Sequence, residues 1–213
     1  MSMIEKTIVV KTMIKSAKLK SAKLMRREFF DRDPRVVSRE LLGKLIVRHE
    51  ENKTLAGRVV EVEAYLGVGD LAAHAAAGET ERNAVLWGPP GHAYIYFIYG
   101  MHFCLNISCL PEGEAGGVLI RALEPVAGGA TMARRRGVPA DAPRLASGPG
   151  NVTRALGLSL RDNGADLTRG RLTLEPPDAP RAFRVASGPR VGITRARELR
   201  LRFWVAGNRF VSR

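Results

Sequence analysis

Residues 58–67, "RVVEVEAYLG", alternate in the manner of an extended strand. Val60, Val62, Ala64 and Leu66 fall on one face and Glu61, Glu63 and Tyr65 on the other. The same alternation runs over residues 44–49 and 55–66, with Glu51-Asn52-Lys53 at the turn between them. Upstream, Asp33-Pro34 predicts a helix start, with Val36, Val37, Leu41 and Leu42 on one side and Gly43 as its stop. Residues 68–92 are rich in Gly, Ala and Pro and read as loop with a short helix. Residues 93–109, "AYIYFIYGMHFCLNISC", are aromatic and β-prone, and "GGVLIRALEPV" predicts a further strand. Helical patterns follow near 126–136 and 150–157, then short strands near 171–175, 181–186 and 201–206 between Pro/Gly turns. Strands in succession with sparse helices predict an α+β fold with a mainly antiparallel sheet, not a doubly wound parallel one. No internal repeat interrupts this order.

Composition narrows the partners. At 213 residues the chain is long enough for one domain with its own core, plus a tail, and its 45% hydrophobic content is ordinary. The net charge of +13 is not. It points to a polyanion such as nucleic acid and is silent about fold. No apolar run reaches the ~18 residues of a spanning helix, and the N-terminus lacks the apolar core of a signal peptide. Six of the eight lysines lie in residues 1–24 with only Glu5 to oppose them, so this segment carries +5 and residues 25–213 retain +8. The body is therefore basic in its own right. Residues 1–24 read as an extension outside the domain of residues 25–213, with a basic arm on DNA as the alternative. Cys104 and Cys109 on one strand are expected to be reduced, buried thiols of a cytosolic protein. The histidines at 49, 74, 92 and 102 show no metal-ligand spacing, and no metal or cofactor is expected.

Two features could carry chemistry. Glu61 and Glu63 lie on one strand face, about 6.5–7 Å apart by strand rise, which fits an acid/base pair of inverting glycosidase type. The plain reading is that they are solvated. Three of the four tyrosines, Tyr94, Tyr96 and Tyr99, lie within six residues, and the fourth, Tyr65, adjoins Glu63. Aromatics interleaved with a basic surface suit stacking on unpaired bases; core packing is the alternative. If residues 99–102 form a tight turn, Tyr99 and Met101 project from a hairpin tip as a wedge for a base step. On a straight strand Tyr99 would face the core.

The motifs "VVEVEAYLGVGDLAAH", "RNAVLWGPPGHAYIYFIYGMHFCLNIS" and "VLIRALEP", in that order, resemble the alkyladenine (3-methyladenine) DNA glycosylase family. "LLGK" upstream and "SGP", "DNGADL" and "SGPRVGI" downstream extend the likeness over roughly residues 28–212. It implies a curved, barrel-like sheet flanked by helices, with a protruding hairpin. It also implies a monomer that excises alkylated or deaminated purines from double-stranded DNA, in the nucleoid-containing cytoplasm of a bacterium or in a nucleus. By this resemblance Glu63 activates water for attack at the deoxyribose C1′ and Arg121 holds the glutamate and water. Tyr65, His74 and Tyr96 wall the flipped base, with the His74 amide facing its edge. Asn106 crowds the 2-amino group of guanine, Tyr99 fills the gap left in the duplex, and a main-chain carbonyl near Val191 completes the water site.

That reading explains why a basic protein would keep a carboxylate at Glu63. A base in a duplex shields its glycosidic bond, so the nucleotide must be extruded. Aromatic faces favour cationic N-alkylpurines, and a carboxylate stabilises the positive sugar left by the departing base. One stretch departs from the family: where basic residues usually follow the His74 position, this chain reads "HAAAGETERN", with Glu79 and Glu81. Weaker phosphate grip is expected there. Two rivals stay open at this level. One is a basic nucleic-acid-binding protein without catalysis; the other is a glycoside or nucleoside hydrolase using both glutamates.

Overall fold

The computed structural model describes residues 24–98, 100–177, 179 and 181–212. Tyr99 and nearly all of the lysine-rich segment lie outside the described residues. The strands are β1 Leu45–Glu50, β2 Lys53–Tyr65, β3 Ala93–Ile98, β4 His102–Cys109, β5 Gly116–Ala127, β6 Leu172–Glu175, β7 Val185–Gly188 and β8 Arg202–Val205. The helices are α1 Pro34–Leu41, α2 Gly129–Arg136 and α3 Pro149–Leu156.

The eight strands form one sheet in the order β3-β4-β5-β2-β1-β6, with β8 pairing β2 and β7. Each of these pairings is antiparallel. The result is an α+β fold in which a curved, half-barrel antiparallel sheet is flanked by helices. The segment between Tyr65 and Ala93 contains only a single 3-10 turn, Ala84–Leu86, in place of the short α-helix the sequence predicts. The last strands start a few residues later than their sequence patterns suggest, at Leu172, Val185 and Arg202.

α1 begins as its sequence dictates. The Asp33 carboxylate accepts from the Arg35 amide at 2.7 Å, and Pro34 occupies a position whose amide needs no partner. Gly43 takes φ +85 just beyond the end, and a Cβ there would meet the Phe183 ring at 2.9 Å. Val37 and Leu41 are buried, whereas Val36, predicted on the same side, is turned outward and 42% exposed. α3 contributes Val152 and Leu156 to the same core, where Val62, Ala64, Ile107, Val118, Ile120 and Phe203 line the sheet.

β2 is the strand that positions the chemistry. Along one edge it pairs with β1 up to Arg58 and with β8 from Glu61 to Glu63; along the other it pairs with β5. The β2–β5 register slips three times, once between Ala56 and Gly57 and twice beside the glutamates, from Val59↔Leu123 to Glu61↔Ala122 and then to Val62↔Ile120. Val60 therefore has no opposite number on β5, and Arg121 has none on β2. Such irregularities bend a ladder and re-aim side chains. Arg121 emerges from this kink between the two glutamates.

Candidate active site

Neither glutamate is solvated: Glu61 and Glu63 are both 0% exposed. Glu63 Oε1 accepts from the Val191 amide at 2.7 Å and lies 3.2 Å from Arg121 Nη1, while its Oε2 accepts from the Tyr65 hydroxyl at 3.0 Å. Burial pushes the Glu63 carboxyl above its usual range, with the Glu61 charge adding to the effect. Arg121, the Val191 amide and the Tyr65 hydroxyl offset only part of this. Burial and the neighbouring Glu63 likewise push Tyr65 far upward, so it remains a hydroxyl and a donor. The resemblance points to a carbonyl near Val191. The contact made here comes from the amide of that residue, as a carboxylate oxygen requires a donor.

Glu61 is surrounded differently. Its Oε1 accepts from Arg121 Nε at 2.9 Å, Arg202 Nε at 2.7 Å and Ser212 Oγ at 2.8 Å, and its Oε2 accepts from the Ser212 amide at 2.6 Å. Arg202 in turn donates to the Ser212 carbonyl at 2.9 Å. With four donors converging on it, Glu61 is bound as an anchor for Arg121.

Tyr65 and Arg121 also line a cavity of about 690 Å³, together with His74, Tyr94, Tyr96, Cys104, Asn106 and Val191. Glu63 thus lies directly behind the cavity wall. The His74 ring meets Tyr96 edge-on, centroids 4.4 Å apart, and its Nδ1 pairs with the Tyr94 hydroxyl at 2.9 Å. Tyr94 and Tyr96 stack at 5.4 Å with 28° between their planes. Burial, and then the charge of Arg82, lower the His74 pKa, leaving a neutral ring at neutral pH. Arg82 lies over the Tyr96 ring, 5.4 Å from its centre. Asn106 is buried and donates to the Tyr94 carbonyl at 3.4 Å. The structure therefore brings together Glu63, Arg121, Tyr65, His74, Tyr96, Asn106 and Val191 around one chamber.

The hairpin between β3 and β4 closes through Met101 N–H donating to the Ile98 carbonyl, with Gly100 at φ +68. Met101 is 69% exposed at this tip, the position expected of a wedge. Its companion in that expectation, Tyr99, falls outside the described residues.

Tyr94, one of the clustered tyrosines, is buried and orients the cavity wall through its bond to His74. Three supporting residues were not singled out by sequence pattern. Asn83 donates to the His74 and Gly78 carbonyls at 3.0 Å each and accepts from the Thr80 amide, folding residues 74–80 back on themselves. Asp70 and Arg190 form an ion pair with both side chains at 0% exposure. The "GD" and "GPR" in which these two stand carry no spacing signal; only the fold joins them. Among the described residues no group of three metal-ligating side chains occurs, and no helix is long and apolar enough to cross a membrane. Cys104 and Cys109 are free thiols on β4, both buried.

The bent antiparallel sheet thus holds a buried carboxylate behind a chamber walled by aromatic rings. Comparison with known proteins gives that arrangement a lineage. The family model for methylpurine-DNA glycosylase matches residues 28–209. A protein of Koribacter versatilis named "Putative 3-methyladenine DNA glycosylase" is 56% identical over 189 residues, covering 87% of this chain and 91% of its own. Proteins with the same name from Methanoculleus marisnigri and Chlorobaculum tepidum are 50% and 45% identical, each covering 87% of this chain and respectively 96% and 89% of their own. The chain belongs to the methylpurine-DNA glycosylase family, whose members are DNA glycosylases acting on purines.

Proposed function

We propose that the protein is a monofunctional DNA N-glycosylase that flips alkylated or deaminated purines out of duplex DNA and hydrolyses their glycosidic bond. The substrates in view are 3-methyladenine, 7-methylguanine, hypoxanthine and ethenoadenine. The observation that carries this reading is Glu63: buried, raised in pKa, and separated from an aromatic chamber only by Tyr65 and Arg121. The extruded base stacks between Tyr65 and the His74–Tyr96 pair, whose faces suit an electron-poor or cationic purine. Neutral His74 adds no charge to repel such a base.

Within the chamber, the sugar lies toward Glu63. As the bond to the base lengthens, positive charge grows on the sugar, and the buried carboxylate stabilises it. Among the described residues Oε2 accepts only from Tyr65. Its second lone pair is free to take a proton from the water that attacks C1′. Arg121, itself held by Glu61, fixes Oε1 so that Oε2 presents a constant direction. Among the described residues no lysine lines the chamber, and the reaction proposed is hydrolysis without a Schiff base. A monomer is the form proposed.

The test is an excision assay with four duplexes, each bearing one of these lesions, run with wild type and Glu63→Gln. Release of free base by wild type and none by the variant is expected. Absence of release from all four duplexes at enzyme excess would overturn the proposal. It would favour instead a nucleic-acid-binding protein without catalysis.

A further inference from the structure

We propose that the Asp70–Arg190 ion pair is the positioning device of the reaction site, holding the Tyr65 hydroxyl and the Val191 amide on Glu63 and locking two walls of the chamber to each other. The proposal rests on the glycosylase reading for its kinetic readout only. Neither residue lines the chamber, so both act through others.

Arg190 uses both terminal nitrogens of its fork, while its buried Nε has no hydrogen-bond partner among the described residues. Nη1 donates to Asp70 Oδ2 and, at 3.1 Å, to the Ala64 carbonyl, while Nη2 donates to Asp70 Oδ1 at 2.8 Å. The guanidinium also lies over the Tyr65 ring, 4.7 Å from its centre. Asp70 completes the arrangement by accepting from the Leu66 and Ala72 amides at 3.1 Å each. The residue after Arg190 is Val191, whose amide is bonded to Glu63. One side chain therefore fixes the strand carbonyl before Tyr65, the ring of Tyr65, and the backbone that caps Glu63.

The pair also joins two segments with no ladder between them. Asp70 is in the loop that carries Leu71, Ala72, Ala73 and His74 into the chamber wall; Arg190 heads the segment that carries Val191 to Arg195 into it. A pair with both side chains at 0% exposure bears a large desolvation cost, and an apolar pair of similar volume commonly holds a fold as well or better. An apolar pair could not hold the Ala64 carbonyl or the two loop amides, and could not attract the face of Tyr65.

The groups facing Glu63 are Glu61 and Tyr65 on its own strand, Arg121 on β5, Arg202 opposite it on β8, Cys104 on β4 and Arg190 itself. Loosening the pair withdraws the Val191 amide and the Tyr65 hydroxyl, both of which favour the carboxylate form. Glu63 should then titrate at higher pH than in wild type. Two single variants of the full chain test this, Arg190→Lys, which keeps the charge and loses the fork, and Asp70→Asn. A third, the double variant Arg190→Met with Asp70→Leu, replaces the pair by apolar packing.

The activity-free readout is the carboxyl carbon resonance of Glu63 in protein labelled at glutamate Cδ, identified by its loss in Glu63→Gln and followed against pH. The kinetic readout is single-turnover excision at saturating enzyme. Each folded variant should raise the Glu63 midpoint by about one pH unit, the size of one lost hydrogen bond to a charged group. Plateau excision should fall roughly tenfold or more, with half-saturation moving less than about threefold. If the single variants unfold, the double variant decides by the same resonance. A folded variant with the wild-type midpoint and plateau overturns the proposal and leaves the pair a fold element. Should wild type itself release no base, the glycosylase reading fails while the resonance still decides the role of the pair.

Discussion

Glu61 and Glu63 stand two positions apart on β2, share full burial and share Arg121, yet the chain uses them differently. Around Glu61 four donors converge: two arginines and the Ser212 hydroxyl on Oε1, and the Ser212 amide on Oε2. Around Glu63 one oxygen is fixed by Arg121 and the Val191 amide while the other meets only Tyr65 among the described residues. The first is an anchor whose removal strands two buried or half-buried cations. The second is an under-coordinated carboxylate kept basic by burial. Residue type and strand face are the same for both. In the proposed reading, the four donors on Glu61 make it the structural carboxylate, and the three on Glu63, with Tyr65 and Val191 lining the chamber, make it the reactive one.

The contrast makes crossed predictions, and the largest concerns Glu63→Gln. Excision should fall by about 10³-fold, within the range general-base catalysis supplies, with lesion binding largely intact. Stability should move the other way. Because the Glu63 pKa is raised in the fold, its ionisation destabilises the folded state once pH rises above the unfolded pKa of ~4.3. The amide should therefore match or exceed wild type in thermal unfolding at pH 7. For the same reason wild-type excision should decline on acidification through a midpoint above the ordinary carboxylate range, and this acid limb should follow Glu63.

Glu61→Gln should show the opposite profile. Removing one partner of a buried ion pair costs about 3–5 kcal/mol, so the melting temperature should drop clearly. Excision by the folded fraction should lose far less than in Glu63→Gln, because Arg121 retains Glu63. An inactive Glu61→Gln beside an active Glu63→Gln would reverse the two roles and sink the assignment.

Much of this was legible in the sequence, for identifiable reasons. The strand alternation around Glu61 and Glu63, the Asp33-Pro34 helix start and the hairpin after Tyr96 are local signals, and each element formed where its pattern lay. The motifs around Glu63, His74, Asn106 and Arg121 carried the family resemblance, and the fold gathers those residues about one chamber. What could not be read was long-range. The two register slips beside the glutamates depend on partners more than fifty residues away, so straight-strand geometry could not show Arg121 entering between the glutamates. Asp70 with Arg190, and Ser212 with Glu61, are 120 and 151 residues apart. Burial of both glutamates was hidden for the same reason, since an alternating strand predicts one wet face, and side chains and backbone from distant segments, at Arg121, Arg202, Ser212 and Val191, close over the carboxylates.

A smaller effect is expected at Asn106, which bears on what the Glu63 side of the chamber admits. Asn106 is buried, lines the chamber and reaches the Tyr94 carbonyl only through a long bond. Asn106→Ser shortens the side chain and leaves room for a purine 2-amino group. The ratio of 7-methylguanine to hypoxanthine excision should rise by roughly fivefold, the scale of about 1 kcal/mol of steric discrimination. Normal guanine should stay nearly untouched, because the neutral base leaves poorly. An unchanged ratio would make Asn106 a support for Tyr94 alone.

The smallest effect tests the loop that departs from the family pattern. Glu79 and Glu81 are both exposed on the turn that Asn83 folds back behind His74, and Arg82 beside them is directed over Tyr96. If that turn approaches the DNA backbone, its acidic side chains oppose phosphate where a basic residue would bind it. Glu79→Arg should then add up to one phosphate contact, steepening the slope of log affinity against log salt by about 0.9 and tightening binding to any duplex, damaged or not. The Glu63 chemistry should be untouched, so single-turnover excision at saturating enzyme should equal wild type. Fluorescence anisotropy titrations between low and moderate salt measure the slope directly. An unchanged slope would place the turn away from phosphate, and the reading of a weakened grip would have to be abandoned. A steeper slope with slower excision would instead mean that Glu79 acts on the chamber through Asn83 and His74, tying the acidic turn to the reactive carboxylate.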